Sequence, residues 1–329
     1  MSYYFYTETA FHHEGDCSYL KKLIDLSFEV GSNGIKFQVL FELNSLISST
    51  HSNYSDLRRL IIPPSEWRSV FDLSIEKGLD IIAMPLDCSV FDFFLDYKKH
   101  IKYLELHSVS FNDYSLKKRI KESKIPLILG SGGRTLKEID SLISFFGNQV
   151  EVLMHGFQSF PSKIENIRLD KISFLASKYP DLKIGFADHS SFDDDFSITS
   201  NEYAYLLGAR VFEKHITLNE GVKRIDYESS LGSDKLKLII DKLNFLDTQI
   251  FKNKNDFSIL NDYELKYRRR QKIAVASKKI KKGEFFSQDN VAFKMSDTQS
   301  DLNDFSLLIN KKSTVDLYYD DVILEKNVT

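Results

Sequence analysis

The sequence has almost no cysteine, no long apolar run and no segregated charge. Only Cys17 and Cys88 occur, without a CxxC pair, which argues against a disulfide framework and a thiolate zinc site. Both read as small buried residues. Nowhere do about 18 apolar residues run uninterrupted, and the N-terminal MSYYFYTETAFHHEGD has no basic region followed by an apolar stretch. A cytoplasmic protein with no membrane contact is therefore expected. The net charge is −3, and lysines are scattered among acids except for Lys278, Lys279, Lys281 and Lys282. This leaves no basic face for nucleic acid. Low-complexity tracts are also missing, and 42% hydrophobic residues suffice for a sizeable core.

What is present is an alternation of short β-rich runs with longer amphipathic ones. The pattern predicts strands at Tyr3 to Thr7, Gly34 to Gln38, Asp80 to Pro85, Ile101 to Leu106, Pro126 to Gly130, Val150 to His155, Lys183 to Ala187 and Ala209 to His215. Helical patterns such as CSYLKKLIDLSFEV, PSEWRSVFDLSIEKG and TLKEIDSLISFFG lie between them. Eight βα units imply parallel strands closed into a (β/α)8 TIM barrel, here residues 1–252. The segment from Leu40 to Pro64 is long for a βα loop and is expected to lie over the barrel top. Residues 253–270, polar throughout most of their length, read as a linker. Residues 271–329, with short β-like runs split by turn residues, read as a small β-rich domain near the lower size limit for a core that is stable alone.

In such a barrel the loops after the strand C-termini build the active site. Six of the eight histidines fall there: His12, His13, His107, His155, His189 and His215. Strands seven and eight are neighbours, so His189 in GFADHSS and His215 in FEKHITL can face one another. Two neutral imidazoles suit a divalent transition metal acting as a Lewis acid on a carbonyl. Asp188 or Glu213 could orient an imidazole. Glu8, Lys36, Gln38, Ser108, Gln158 and Asp226 would converge on the same place, with Glu8 and Lys36 either paired inside the barrel or touching substrate. The glycines of GSGGRT could present N–H groups to an anion, or simply make a turn.

These segments in this order resemble the sialic acid synthase family, which makes nonulosonic acids from phosphoenolpyruvate and an N-acetylated hexosamine. The resemblance runs nearly end to end. It is carried by TETAFHHEGD, GSNGIKFQ, PLILGSGGRTLKEID, LMHGFQSFP, GFADHSS and FEKHITL, and by KIAVASKKIKKGEFFSQDN, which looks like the family's antifreeze-like (SAF) domain. It implies a transferase with Mn²⁺ or a similar metal on His189 and His215, Glu8 on the sugar, and Lys36 and Ser108 on phosphoenolpyruvate. Asp226 would serve the sugar or metal-bound water, and Gln38, Gln158, His13 and His155 would add substrate contacts. It further implies a homodimer in which each SAF domain covers the partner's barrel.

Several positions depart from the family pattern. Met84 replaces a threonine, Glu105 a lysine, Gly130 and Ala187 serines, Gln158 an asparagine and Met295 an arginine. The lysine-to-glutamate change weighs most, because a unit-charge contact at about 4 Å is on the order of 4 kcal/mol at an effective dielectric constant near 20. The metal chemistry looks retained and the phosphoenolpyruvate cradle partly dismantled, unless Arg134, His107 or His12 compensates. Three readings follow: a divergent nonulosonate synthase, a metal-dependent C–C lyase or aldolase with a non-phosphorylated donor, and a non-catalytic sugar-binding homologue.

Overall fold

Eight parallel strands, each hydrogen-bonded to the next in sequence and β8 to β1, close into a (β/α)8 TIM barrel. They are β1 Tyr4–Glu8, β2 Gly34–Val39, β3 Asp80–Pro85, β4 Ile101–Leu106, β5 Leu127–Gly130, β6 Val150–Gly156, β7 Lys183–Asp188 and β8 Val211–His215. The outer ring contains α1 Cys17–Glu29, α2 Pro64–Glu76, α3 Phe91–Asp96, α4 Tyr114–Ser123, α5 Leu136–Phe146, α6 Asp170–Lys178, α7 Phe196–Leu206 and α8 Ser233–Phe245. The computed structural model describes residues 3–156, 159–250 and 259–329. No helix among them is long and apolar enough to cross a membrane.

Successive side chains on a strand point to opposite faces, so each barrel strand sorts its residues into an interior and an outer set. Outward residues such as Phe5, Phe37 and Phe212 pack under the helices with Leu20, Trp67 and Phe71. Inward residues form a separate cluster that includes Tyr6, Ile82, Tyr103, Ile128, Val152 and Val211. Nearer the strand C-termini the inward set turns partly polar: Glu8, Lys36, Glu105, Glu213 and His215 are all buried, beside the apolar Met84, Met154 and Ala187. The long segment after β2 forms two short helical turns, Leu43–Leu46 and Tyr54–Arg58, and its Leu40 and Leu43 cluster with Met84 and Leu86. Cys17 and Cys88 are unpaired and only half-buried, not fully enclosed as expected.

Charge also appears on the outer side of two strands. Asp188 and Lys214 are register partners on β7 and β8, and their side chains, both fully buried, meet at 2.6 Å. Asp188 also accepts hydrogen bonds from the N–H and hydroxyl of Ser190. Asp188 therefore serves Lys214 and Ser190 and orients no imidazole. Gly156, at the end of β6, is required by close approach: a Cβ there would sit 2.4 Å from the carbonyl oxygen of Ala187.

Contacts divide the chain into Met1–Lys252 and Asn253–Thr329. The second unit corrects the expectation of a plain linker. Within residues 253–270, a helix α9 spans Asp262–Arg268, where Asn261 and Glu264 form a capping box. The rest of the unit holds two antiparallel strands, β9 Ile273–Ala276 and β10 Val291–Lys294, with isolated bridges and turns around a core including Ile280, Phe286, Leu308 and Ile323.

The buried pair yields a stability prediction. Lys214→Met leaves Asp188 charged and without its ammonium partner, a change that costs about 3–5 kcal/mol when a buried pair is broken from one side. Urea denaturation should show that loss; a change within about 0.5 kcal/mol, as at an ordinary surface site, would contradict it.

Candidate active site

The parallel register places Glu8 of β1 beside Lys36 on one side and His215 on the other, and Tyr6 beside Glu213. Lys36 Nζ lies 3.1 Å from Glu8 Oε1, 2.9 Å from Glu105 Oε2 and 2.8 Å from Glu213 Oε2. The expected Glu8–Lys36 pair is thus part of a larger cluster, in which Glu105 binds the lysine itself. Tyr6 donates its hydroxyl to Glu213 at 2.6 Å, and the Gln38 amide donates to Glu8 at 2.9 Å. Gly130 neighbours this cluster: a Cβ there would make ordinary contact with Glu105 Oε1 at 3.6 Å.

Burial opposes charge throughout this cluster. It pushes the Glu8 carboxyl up, but Lys36 and His215 outweigh it and hold Glu8 well below the usual carboxylate range. Burial, reinforced by the charge of Glu8, raises Glu213 well above that range, and burial likewise raises Glu105 against the pull of Lys36. Lys36 is also disfavoured by burial, yet its three carboxylates raise its pKa and keep it an ammonium.

On the opposite side of Glu8, the rings of His189 and His215 stand 5.0 Å apart between centroids. His189 Nδ1 lies 3.1 Å from the Ala187 carbonyl oxygen, which can only accept, so Nδ1 carries the proton and Nε2 the lone pair. Burial, with His215 adding to it, pushes His189 down to about 3, so the ring is neutral. His215 Nε2 lies 3.1 Å from Glu8 Oε2, and its buried Nδ1 has no hydrogen-bond partner among the described residues. Ligand atoms of Glu8, His189, Glu213 and His215 all fall within 4.8 Å of one another. A neutral imidazole on His189, a second imidazole beside it and nearby carboxylates fit a divalent metal ion, which this buried Glu/His group could hold.

Both clusters open into one cavity of about 110 Å³. Its walls include Glu8, Lys36, Gln38, Ser108, His189, His215 and Asp226, so the structure brings these predicted residues together. Burial raises the Asp226 carboxyl, with His215 opposing the shift. Of the three residues considered as substitutes for missing phosphate donors, only His107 lines the cavity; burial, then the charge of Lys36, lowers it to about 4. Arg134 instead pairs with Glu138 and lies over the Phe111 ring. His12 is used structurally, bonding the Ile225 carbonyl and the Thr217 hydroxyl.

Two predicted substrate contacts lie away from this cavity. His155 follows the inward Met154 by one residue and so faces the helical layer, where Nε2 bonds the Ile167 carbonyl. His13 accepts the Gly15 N–H in the turn before α1 and packs its ring edge against Trp67. Gln158 lies outside the described residues. Sequence reasoning missed the Glu105–Lys36–Glu213 connection and Phe160, whose ring lies 6.2 Å from His189 and 6.3 Å from His215. Strand parity could have found the carboxylates, since Glu105 and Glu213 share the inward phase of His107 and His215.

A buried carboxylate and imidazole group lies at the C-terminal mouth of a TIM barrel, the end where enzymes of this fold build their active sites. The NeuB family model matches residues 23–255, and the chain belongs to the NeuB family. It is 26% identical to a pseudaminic acid synthase of Campylobacter jejuni over 97% of this chain and 95% of that protein. It is 23% identical to the human N-acetylneuraminate-9-phosphate synthase, over 96% of this chain and 90% of that protein. A Chromobacterium violaceum structure described as that of a spore coat polysaccharide biosynthesis protein E superposes with a TM-score of 0.87 at 20% identity, covering 99% of both chains.

If the imidazoles hold a metal, His215→Ala and His189→Ala should each abolish stoichiometric Mn²⁺ binding, read by electron paramagnetic resonance and elemental analysis. Unchanged Mn²⁺ content in both variants would remove them as ligands.

Proposed function

We propose that this chain catalyses carbon–carbon bond formation at the aldehyde of an open-chain amino sugar, giving a nonulosonic acid. The observation that carries the reading is the grouping of Glu8, Asp226, His189 and His215 on one cavity at the C-terminal end of the barrel, in a chain of the NeuB family. A divalent ion on the two histidines, Mn²⁺ in the first instance, would supply a Lewis acid for the aldehyde oxygen. Glu8, ionised and fixed by Gln38, faces the cavity as an acceptor for sugar hydroxyls. Asp226, with its raised pKa, suits a group that holds or passes a proton. Ser108 offers a hydroxyl to the donor.

Phosphoenolpyruvate is the donor that family membership suggests, with Lys36 and Ser108 as its contacts. A second reading, a metal-dependent aldolase or lyase whose donor has no phosphate, is favoured by one observation: Lys36 is already held by three carboxylates. We further assign residues 271–329 to an SAF domain that covers the partner's barrel in a homodimer, and the protein to the cytoplasm.

The test is incubation of the Mn²⁺-loaded protein with N-acetylated hexosamines and three-carbon donors, followed by mass spectrometry for 2-keto acid products. A product carrying three more carbons than the sugar is expected. Silence across all sugars and donors would overturn the reading in favour of a non-catalytic homologue.

A further inference from the structure

We infer that His107 is a donor-binding residue of this site, presenting its Nε2–H to the phosphate of phosphoenolpyruvate from the wall that faces the paired histidines. The inference rests on the phosphoenolpyruvate reading proposed above and adds the residue that meets the phosphate.

His107 follows β4, and β4 stands four strands from β8 in a closed ring of eight. The two strands therefore lie across the barrel from one another, so a donor on the β4 side faces a sugar aldehyde held at His215. The strand ends at Leu106 and the turn Ser108–Ser110 takes over. Strict alternation stops there, and the consecutive residues His107 and Ser108 both line the cavity. His107 Nδ1 accepts the Val109 N–H at 3.3 Å, so the neutral ring carries its proton on Nε2. Burial, then the charge of Lys36, lowers the ring to about 4 against the pull of Glu8, which leaves it neutral at pH 7. No described residue accepts the Nε2 proton, nor that of the Ser108 hydroxyl.

Other donors on the walls are engaged. Lys36 donates to Glu105 and Glu213, the Ser131 hydroxyl to the Met154 carbonyl, and His189 Nδ1 to the Ala187 carbonyl. An anion reaching for one of these N–H or O–H bonds leaves a buried acceptor without its donor, a costly exchange. At His107 and Ser108 it meets two donors whose protons are uncommitted. The phosphate carries the larger charge of the donor's two anionic groups and gains most from charge-assisted bonds there. The charges of Lys36 and Arg134, which oppose an imidazolium at this point, favour an anion beside the neutral ring. Gly130 neighbours the same corner, where a Cβ would stand 3.7 Å from the Ser108 nitrogen, and it has no side chain to fill that space.

The test is calorimetric titration of Mn²⁺-loaded full-length protein with phosphoenolpyruvate and with inorganic phosphate, using wild type, His107→Ala and His107→Gln. Wild-type protein should bind both, in competition. In His107→Ala both should weaken by about tenfold or more, the scale of a hydrogen bond to a charged acceptor. His107→Gln, whose amide sets an N–H near the place of Nε2, should recover most of that loss, and Mn²⁺ content should stay at the wild-type level in both variants. Unchanged phosphoenolpyruvate affinity in the alanine variant overturns the inference, as does wild-type protein that binds neither anion. Weaker phosphoenolpyruvate with unchanged phosphate places His107 on the carboxylate and also overturns it. A glutamine variant no better than alanine, or Mn²⁺ lost along with affinity, marks a merely structural role and counts against it equally. If the alanine variant does not fold, crystals of wild type grown with phosphoenolpyruvate decide: Nε2 must lie within about 3.2 Å of a phosphate oxygen. Product formation judges the reaction separately, since phosphoenolpyruvate bound through His107 without product from any sugar sinks the reaction alone.

Discussion

The ammonium of Lys36 inside the barrel is the constraint on which the site depends. It sits on β2, and its partners come from β1, β4 and β8, so a single cation ties together strands from different parts of the barrel wall. Isolated charges are rarely tolerated in such an interior, and each of these is held by the others. Glu8 is the link outward from the cluster: one oxygen faces Lys36 and Gln38, the other faces His215. The orientation of the His215 imidazole is thereby coupled to the same carboxylate that neutralises the lysine.

Much of this architecture was legible in the sequence, because β and α periods alternate cleanly and strand ends are marked by polar residues. Each predicted strand matches an observed one to within two residues at either end, as with Ala209 to His215 against Val211–His215. The histidine pair was legible for the same reason: parallel neighbours bring equivalent strand ends together. Contacts across the barrel were not, since they join residues far apart in sequence: Lys36 and Glu105 are 69 residues apart, and Lys36 and Glu213 are 177 apart. No local pattern records such distances.

Parity explains the remaining differences. His155 belongs to a strand end, as its position suggested, but stands one residue out of phase with Met154 and therefore faces the helices. His12 and His13 lie in a turn, where no period assigns a direction, and each is taken up by neighbouring backbone. The segment before the small unit was read by its polarity, whereas the capping pair Asn261 and Glu264 marks a helix start inside it.

Asp188 and Lys214 precede His189 and His215 by one residue each, and they join β7 to β8 from the outer side of the barrel wall. The strand ends that carry the two imidazoles are thus joined outside the cavity, while Glu8 holds the His215 ring within it. A barrel built this way holds its paired imidazoles from both faces of its wall.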